Sequence, residues 1–322
     1  MNIIIPAAGK GLRLRPHTHT QPKCLLYVAG KPILGHILDS FKGFNISKLV
    51  LVLGTGSDSI IKFCKNYSYN FKFVIQEKRL GLGHAIYTGA KGLKGPTLVL
   101  LGDTIIECDF KEFTRRNTNM LAVKAVEDPK RFGIVETKGL DVISLTEKPQ
   151  KPKSNLAIVG LYFFQRIEQV HKSVDYLMKK KIKTKGEYQL TDALSHLLEL
   201  GNKFKIMKVN KWFDCGTADA LIETNRHLLK KTHHFKKRKN TIILPPVYIS
   251  DTARISTSII GPNVSIGDGV TIENSLVQNS IINKDAYIHN ILLSESIVGE
   301  NACIKGQLKK LSVSDSSVIE LP

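Results

Sequence analysis

The segment "IIIPAAGKGLRLRPHTHTQPKCLL", residues 3–26, decides the fold. It begins with an apolar run, passes through two glycines, and continues into a basic stretch that Pro16 and Pro22 interrupt. A buried strand that ends in a glycine turn is typical of α/β domains, in which ligands lie at the carboxyl ends of the strands. We therefore expect a ligand to bind next to this turn.

Two common phosphate-binding loops do not fit the segment. A dinucleotide fingerprint needs a third glycine where Leu14 stands, and a helix directly after the turn, which Pro16 and Pro22 prevent. A Walker loop needs Ser or Thr after its glycine and lysine, but Gly11 follows Lys10. The turn belongs to neither of these classes.

The glycine turn is followed by a long irregular segment that leads to a helix predicted to begin near Pro32. Backbone amides at its start, together with Arg13, Arg15 and Lys23, could bind a polyphosphate through charge-assisted hydrogen bonds worth about 1.5 to 3 kcal/mol each. This pattern indicates a nucleoside triphosphate. A solvated basic loop is the alternative that the segment alone leaves open.

The first two hundred residues alternate apolar runs with amphipathic segments. The runs and segments include "NIII", "PILGHILDSFKGF", "KLVLVLG", "SIIKFCKNY", "FKFVI", "GHAIYTGAKGL" and "PTLVLLGD". Continuous apolar strands separated by helices predict an α/β domain whose mixed sheet is mostly parallel and covered on both faces. A strand-rich middle and three further helical segments complete this domain.

From Thr241 onward the periodicity changes to six residues. An apolar residue recurs in the series Ile249 and Ile255; Ile260, Ile266 and Ile272; Leu276, Ile282 and Ile288; Val298 and Ile304. One inward apolar side chain on each face of a coil predicts a small left-handed parallel β-helix. The period breaks near Ser256 and near Asn290. A β-sandwich, the alternative, would need strict alternation of apolar and polar residues.

The net charge of +19 is concentrated in the first 240 of the 322 residues, because later residues comprise five Lys or Arg against eight Asp or Glu. This excess fits anionic ligands. The basic stretch Lys230–Lys239 is interpreted as a solvated linker, since no helix-turn-helix or RNP-like aromatic strand accompanies it. We therefore expect no nucleic-acid partner.

The cysteines and the first residues indicate the compartment. Five cysteines, far apart and without a C-x-x-C spacing, argue against a disulfide framework or a structural zinc site. The short apolar run at Ile3 is not long enough for a signal peptide or a membrane span. A cytoplasmic protein with no membrane partner is expected.

Ordered motifs along the chain resemble the sugar-1-phosphate nucleotidylyltransferases. They are "AAGKGLRLRPHTHTQPKCLLYVAGKPI", "QEKRLGLGHAI", "LLGDT", "FGIVE", "EKP", "VGLYFF", "GEYQLTDAL" and "WFDCGTADALIETN". The resemblance covers roughly residues 1–230 and implies a Rossmann-like nucleotidyltransferase domain. The repeat region is similar to the β-helix tail of many members. The closing "LKKLSVSDSSVIEL" resembles the end of the longer glucose-1-phosphate thymidylyltransferases.

The resemblance implies that a sugar-1-phosphate oxygen attacks the α-phosphorus of a nucleoside triphosphate and releases pyrophosphate. Arg13 and Lys23 match the family's catalytic cations. Asp103 and Asp214 match its metal ligands, and Mg²⁺ is the implied cofactor. Without the resemblance, either aspartate could be a helix cap or a turn residue.

The resemblance also assigns the two substrates. The nucleotide-binding positions are Ala8, Gly9, Gly11, Gln76 and Gly81. A glutamine amide can pair with the edge shared by thymine and uracil, so dTTP and UTP stay equally open. The sugar-phosphate positions are Gly133, Glu147, Lys148, Gly160, Glu187 and Thr191. The sequence departs from the family at Leu12, where a small hydroxyl residue is usual, and at Cys24, where proline or glutamine is common.

The predicted organisation is a catalytic domain at residues 1–229, a basic linker at 230–240 and the β-helix at 241–322. The leading hypothesis is an enzyme that makes a dTDP- or UDP-hexose, with glucose 1-phosphate as the favoured acceptor, and that forms a homo-oligomer. Another base or sugar (UDP-GlcNAc, GDP-mannose, ADP- or CDP-glucose), or a non-catalytic regulatory subunit, stays open. A second, acyl-transfer site on the β-helix is disfavoured because His289 is its single candidate base.

Overall fold

A computed structural model describes residues 1–238 and 240–307. The chain divides into two compact units, one formed by Met1–Leu26 with Lys31–Ala220, the other by Tyr27–Gly30 with the chain from Leu221 onward. The motif at residues 308–321 lies outside the described residues. The predicted boundaries at residues 229 and 240 stay a prediction.

The α/β unit and its flanks contain thirteen strands and seven helices. The strands are β1 (Asn2–Pro6), β2 (Tyr27–Val28), β3 (Lys31–Pro32), β4 (Lys48–Leu53), β5 (Phe71–Ile75), β6 (Thr97–Leu100), β7 (Thr104–Glu107), β8 (Asn119–Ala125), β9 (Gly133–Lys138), β10 (Asp141–Glu147), β11 (Leu156–Phe164), β12 (Phe204–Lys208) and β13 (Lys211–Asp214). The helices are α1 (Ile33–Asp39), α2 (Asp58–Cys64), α3 (Leu82–Ala90), α4 (Phe110–Arg115), α5 (Ile167–Lys179), α6 (Leu190–Glu199) and α7 (Ala218–Thr232).

Nine of these strands form one mixed sheet in the order β5-β4-β1-β6-β11-β8-β12-β10-β9. Strands β4, β5 and β6 run parallel to β1 or to its neighbour, whereas β11 is antiparallel to β6 and β8. The predicted α/β class with a mixed sheet is confirmed. The strand order reverses between β1 and β6, and such a switch point opens a crevice for ligands at the strand ends.

Strand β1 lies inside the sheet between β4 and β6, and its three central residues are fully buried. Its residues Ile3, Ile4 and Ile5 are inaccessible to solvent, because α3 covers one face of the strand. The helix approaches closely at Gly89, where a Cβ atom would lie 2.7 Å from Cγ2 of Val52 and 3.0 Å from Cγ2 of Ile4. This packing fixes the end of β1 and therefore the position of the glycine turn that follows.

The second unit contains a parallel β-helix with three four-stranded faces. Its strands are β14 (Thr241–Ile243), β15 (Val247–Ile249), β16 (Arg254–Ser256), β17 (Ser258–Ile260), β18 (Val264–Ile266), β19 (Thr271–Glu273), β20 (Leu276–Gln278), β21 (Ile281–Ile282), β22 (Tyr287–His289), β23 (Leu292–Ser294), β24 (Ile297–Val298) and β25 (Cys303–Lys305). Every third strand stacks in register, so that Ile249, Ile266, Ile282 and Val298 form one buried column. The predicted left-handed β-helix is confirmed.

The breaks in the six-residue period have a structural cause. At one corner of each coil a residue with left-handed backbone, Thr257, Asn274 or Asn290, turns the chain one position early. The inward residue after Ile272 is therefore Val277, which is fully buried, and not Leu276, which is partly exposed. The prediction of Leu276 as an inward residue was wrong for this reason.

Side chains of α7 and of the predicted linker make hydrogen bonds and ion pairs within the second unit. Asn225 of α7 accepts hydrogen bonds from the backbone N–H of Ala29 and from Oγ of Ser265. Farther along, His234 and Lys236 both contact the carboxylate of Asp251. Within the described ranges no helix combines the length and apolar character needed to cross a membrane.

Candidate active site

The glycine turn after β1 is held by hydrogen bonds on both sides. The N–H of Ala7 donates to the carbonyl of Val52, and Oγ1 of Thr18 donates to the carbonyl of Gly11. Gly11 has φ of +62°, and a Cβ atom there would lie 2.9 Å from Cγ2 of Thr18. The turn therefore requires glycine at this position.

The segment after the turn contains two short 3₁₀ turns at Leu12–Leu14 and Lys23–Leu25, although it was predicted to be irregular throughout. The first turn presents Arg13 to solvent, while the second turn buries Lys23. Leu14 and Leu25 anchor the two turns in the core. The two cations therefore come to the site from different depths.

Lys23 lies between the two predicted metal ligands. Its ammonium Nζ is 2.5 Å from Oδ2 of Asp103 and 3.9 Å from Oδ1 of Asp214. Asp103 follows β6, and Asp214 ends β13, which pairs with β7 so that Asp214 lies opposite Thr104. Two carboxylates from distant parts of the chain are thus brought to one lysine.

Arg13 joins this cluster near Gly216. A Cβ atom at Gly216 would lie 2.8 Å from a guanidinium nitrogen of Arg13 and 3.0 Å from Oδ1 of Asp214. A side chain at this position would displace one or both of these groups. The predicted catalytic cations and metal ligands therefore converge in the structure.

The surroundings of Asp214 favour the presence of cations that neutralise its carboxylate. Burial raises the pKa of this carboxyl, and the negative charge of Asp103 adds to the rise, while Lys23 and Arg13 oppose it. Asp103 and Asp214, whose side chains are 37% and 33% exposed, repel each other and are stabilised by positive charge nearby. Among the described residues, no group of three or more His, Cys, Asp or Glu is placed to hold a metal ion, so the predicted donor set is limited to these two carboxylates. Such a set suits a hard divalent cation that keeps several waters and phosphate oxygens.

A cavity of about 650 Å³ extends from the glycine turn to the start of α3. Its lining includes Ala8, Gly9, Lys10, Gly11, Leu12, Arg13, Lys23, Gln76, Arg79, Gly81, Leu82, Asp103, Glu187 and Gly216. All five predicted nucleotide-binding residues are in this set. The cavity therefore joins the cations at one end to the predicted base-binding residues at the other.

Gly81 shapes the end of the cavity where the base is predicted to bind. It has φ of +109°, and a Cβ atom there would lie 2.6 Å from the carbonyl oxygen of Tyr188. Gln76 follows β5 and is 4% exposed, and its backbone N–H donates to the carbonyl of Leu53. Both residues are thus fixed by the backbone before any ligand binds.

Four of the six predicted sugar-phosphate residues form a second cluster. Oγ1 of Thr191 donates to Oε2 of Glu147 at 2.7 Å, and Nζ of Lys148 lies 3.3 Å from the other carboxylate oxygen. A Cβ atom at Gly133 would lie 2.5 Å from Oγ1 of Thr191 and 3.0 Å from Oε2 of Glu147. This cluster presents an oriented carboxylate and a cation beside a bare backbone.

The other two predicted sugar-phosphate residues lie elsewhere. Glu187 lines the cavity that extends from the glycine turn and accepts a hydrogen bond from the side-chain amide of Gln189. Gly160 has φ of +83°, and a Cβ atom there would lie 2.6 Å from Cδ1 of Leu101. Gly160 therefore allows Leu101, which lines the cavity, to pack closely against β11.

The sequence argument missed Arg79. Its Nε donates to the carbonyl of Ala8 at 2.6 Å, so its guanidinium spans from the base-binding end to the glycine turn. The basic residue within "QEKRLGLGHAI" was the available signal.

The structure also places the two residues that depart from the family pattern. Leu12 is 57% exposed at the cavity rim. Cys24 is buried, and burial raises the pKa of its thiol to about 12 and keeps it protonated.

A glycine turn at a sheet switch point, two convergent cations and a pair of carboxylates define a nucleotide-binding α/β enzyme. The sequence profile of the nucleotidyl transferase family matches residues 2–231. The chain therefore belongs to the nucleotidyl transferase family and is a nucleotidyltransferase, which confirms the resemblance found in the sequence motifs.

Two curated relatives match nearly the whole chain, and one solved structure matches about three quarters of it. "Bifunctional protein GlmU" from Methanocaldococcus jannaschii is 35% identical over 94% of this chain and 78% of its own length. Glucose-1-phosphate thymidylyltransferase from Streptomyces griseus is 28% identical over 94% of this chain and 92% of its own length. A Bacillus anthracis structure, provisionally assigned as a glucose-1-phosphate thymidylyltransferase, has 28% identity and a TM-score of 0.61, and covers 74% of this chain and 98% of its own.

Proposed function

We propose that the protein transfers a nucleotidyl group from dTTP or UTP to a hexose 1-phosphate, for which glucose 1-phosphate is the favoured acceptor. The products are a nucleotide sugar and pyrophosphate. The observation that carries this proposal is the position of Lys23 between Asp103 and Asp214, at one end of a cavity that Gln76 lines at the other. The relatives named as glucose-1-phosphate thymidylyltransferases support the choice of acceptor.

The proposed reaction is an in-line displacement. A phosphate oxygen of the sugar phosphate attacks the α-phosphorus; the new O–P bond forms as the bond to the bridging oxygen breaks, and its electron pair leaves with pyrophosphate. Both reactants are anions, so the site has to neutralise charge and hold them in line. Arg13, which is exposed in the cavity, would bind the triphosphate, and Lys23 would stabilise charge at the α-phosphate.

Asp103 and Asp214 are the proposed ligands of Mg²⁺, since paired carboxylates beside a triphosphate suit that ion. When bound, Mg²⁺ would neutralise phosphate charge. Lys23 already provides one positive charge between these carboxylates. The protein residues thus keep the pair compensated before the substrates arrive.

The base and the sugar are assigned to different walls. Gln76 and Gly81 would contact the base at the far end of the cavity. Glu147 would accept hydrogen bonds from hexose hydroxyls, and Thr191 orients its carboxylate. Lys148, beside it, would bind the phosphate of the sugar.

A panel of pyrophosphate-release assays tests the proposal. It crosses five nucleoside triphosphates (dTTP, UTP, CTP, ATP and GTP) with the 1-phosphates of glucose, N-acetylglucosamine, mannose and galactose, at millimolar Mg²⁺. Turnover should be highest with dTTP or UTP and glucose 1-phosphate. Release of no pyrophosphate with any pair would reject the proposal in favour of a non-catalytic role, and preference for a purine would reject the assignment of the base.

A further inference from the structure

The side-chain amide of Gln76 is held in one orientation by two acceptors. Its Nε2 lies 3.3 Å from the carbonyl oxygen of Gly81 and 2.9 Å from Nδ1 of His84. A carbonyl oxygen can only accept, so the amide atom that faces it must be the nitrogen. The same nitrogen donates to His84, which must therefore be unprotonated at Nδ1.

This arrangement uses both amide hydrogens of Gln76. Among the described residues, none donates a hydrogen bond to its Oε1, although the residue lines the cavity. The protein therefore offers an acceptor to the base. Uracil and thymine carry a hydrogen on N3 and can donate it to Oε1. N3 of cytosine is itself an acceptor, so it would repel Oε1 through the partial negative charges of the two atoms.

His84 acts from outside the cavity. It is absent from the described residues that line it, and its ring is held on α3 beside Tyr87, whose centroid is 6.4 Å away. Tyr87 in turn stacks on His171 of α5 at 4.3 Å. Burial lowers the pKa of His84 from its ordinary 6.5 and so favours the neutral ring, in which one of the two nitrogens accepts.

We propose that His84 is a positioning residue that selects uracil and thymine over cytosine by fixing the amide of Gln76. This rests on the proposed function, in which Gln76 contacts the base. Without an acceptor at position 84, only the longer contact to Gly81 would oppose rotation of the amide. A rotated amide would present Nε2 to the base, and cytosine would then become an acceptable partner.

Two variants of matched size test the proposal. His84→Leu removes the acceptor, whereas His84→Asn keeps one, because its Oδ1 branches from Cγ as Nδ1 of histidine does. For both variants and the unaltered protein, kcat and KM are measured with UTP, dTTP and CTP at saturating sugar 1-phosphate. Calorimetric titration with UTP, CTP and inorganic tripolyphosphate measures binding without turnover.

In His84→Leu we expect the preference for UTP over CTP to fall about tenfold, through KM rather than kcat, while His84→Asn keeps most of it. Affinity for tripolyphosphate, which has no base, should stay within about twofold in both variants and shows that the site is folded. An unchanged preference in His84→Leu, or an equal loss in both variants, would overturn the proposal.

The two proposals fail in different ways. If the unaltered protein turns over no combination of nucleoside triphosphate and sugar 1-phosphate, the proposed function is wrong. The calorimetric preference for UTP over CTP in the variants then still decides the role of His84. If the unaltered protein is active but binds UTP and CTP equally, the role of His84 is wrong while the proposed function stands.

Discussion

Nζ of Lys23 lies 2.5 Å from Oδ2 of Asp103, although eighty positions separate the two residues. The lysine side chain is 9% exposed, so this ion pair is shielded from solvent on the lysine side. Removal of Asp103, which is 37% exposed, would leave the buried ammonium of Lys23 without its nearest counter-charge and would destabilise the fold. The contact makes Lys23 a structural counter-ion as well as a proposed catalytic group.

Replacing Lys23 with methionine separates these two roles. We expect Lys23→Met to lower turnover at least about a hundredfold, because a cation at the developing charge is lost. Binding of Mg²⁺ without nucleotide should become tighter, since the ammonium no longer competes for Asp103 and Asp214. Calorimetry with MgCl₂ checks this, with the exposed Lys78→Met as control. Weaker or unchanged Mg²⁺ binding would show that the two aspartates are not metal ligands.

Arg13 and Arg15 form a matched pair of exposed arginines in one segment. Arg13 lines the cavity beside Asp214, and Arg15 is not among its described lining residues. We expect Arg13→Ala to reduce kcat by about a hundredfold, a typical value for one electrostatic contact in a transition state, and Arg15→Ala to change it less than threefold. Steady-state pyrophosphate release measures both. Equal effects would mean that the segment acts only through net charge.

Arg79 should contribute to nucleotide binding rather than to the chemical step. Its guanidinium lies between the base-binding end and the glycine turn, anchored on Ala8. Loss of a charge-assisted hydrogen bond predicts that Arg79→Ala raises KM for the nucleotide about tenfold with kcat within about threefold. Lys78→Ala, which removes a neighbouring exposed cation, is the control. A fall in kcat with an unaltered KM would contradict this assignment.

Thr191 orients the carboxylate of Glu147 through a 2.7 Å hydrogen bond. If this cluster binds the hexose, Thr191→Ala should raise KM for the sugar 1-phosphate about fivefold to tenfold and leave KM for the nucleotide within about twofold. Thr191→Ser, which keeps the hydroxyl, should behave like the unaltered protein. A parallel rise in the KM values for the sugar 1-phosphate and the nucleotide would contradict the assignment of this cluster to the hexose.

The β-helix is expected to mediate association between copies of the chain. Light scattering of the full chain should give a multiple of 35.9 kDa, and removal of residues 241–322 should lower that multiple. Circular dichroism checks that the shortened chain remains folded. An unchanged multiple would assign association to the α/β unit, and loss of nucleotide binding in a folded product would place part of the tail in the active site.

The apolar runs and motifs of the first 230 residues predicted the α/β fold and five nucleotide-binding candidates that line the cavity, but not Arg79. Short continuous apolar runs such as residues 2–6 and 48–53 are typical of strands buried in a parallel sheet, and this pattern predicted both strands. The six-residue period likewise predicted the β-helix. Leu276 was placed wrongly, because the left-handed corner at Asn274 shifts the inward position to Val277.

Contacts between distant residues could not be predicted from spacing. The motif "QEKRLGLGHAI" contains Gln76, Arg79 and His84, but only the first was assigned a role. The roles of the other two depend on the fold, which brings the end of β5 beside the glycine turn and the first turn of α3. A side chain's hydrogen-bond partner is set by packing, and packing is a property of the assembled elements.

The sequence by itself determined the order of strands and helices, the need for glycine after β1, and the supply of cations and carboxylates. Only the tertiary structure decided that Lys23 lies buried between Asp103 and Asp214 while Arg13 stays exposed. The physical reason is that charge compensation depends on distance and burial. The distance and the burial are both fixed when the ends of β6 and β13 meet at the turn that contains Lys23.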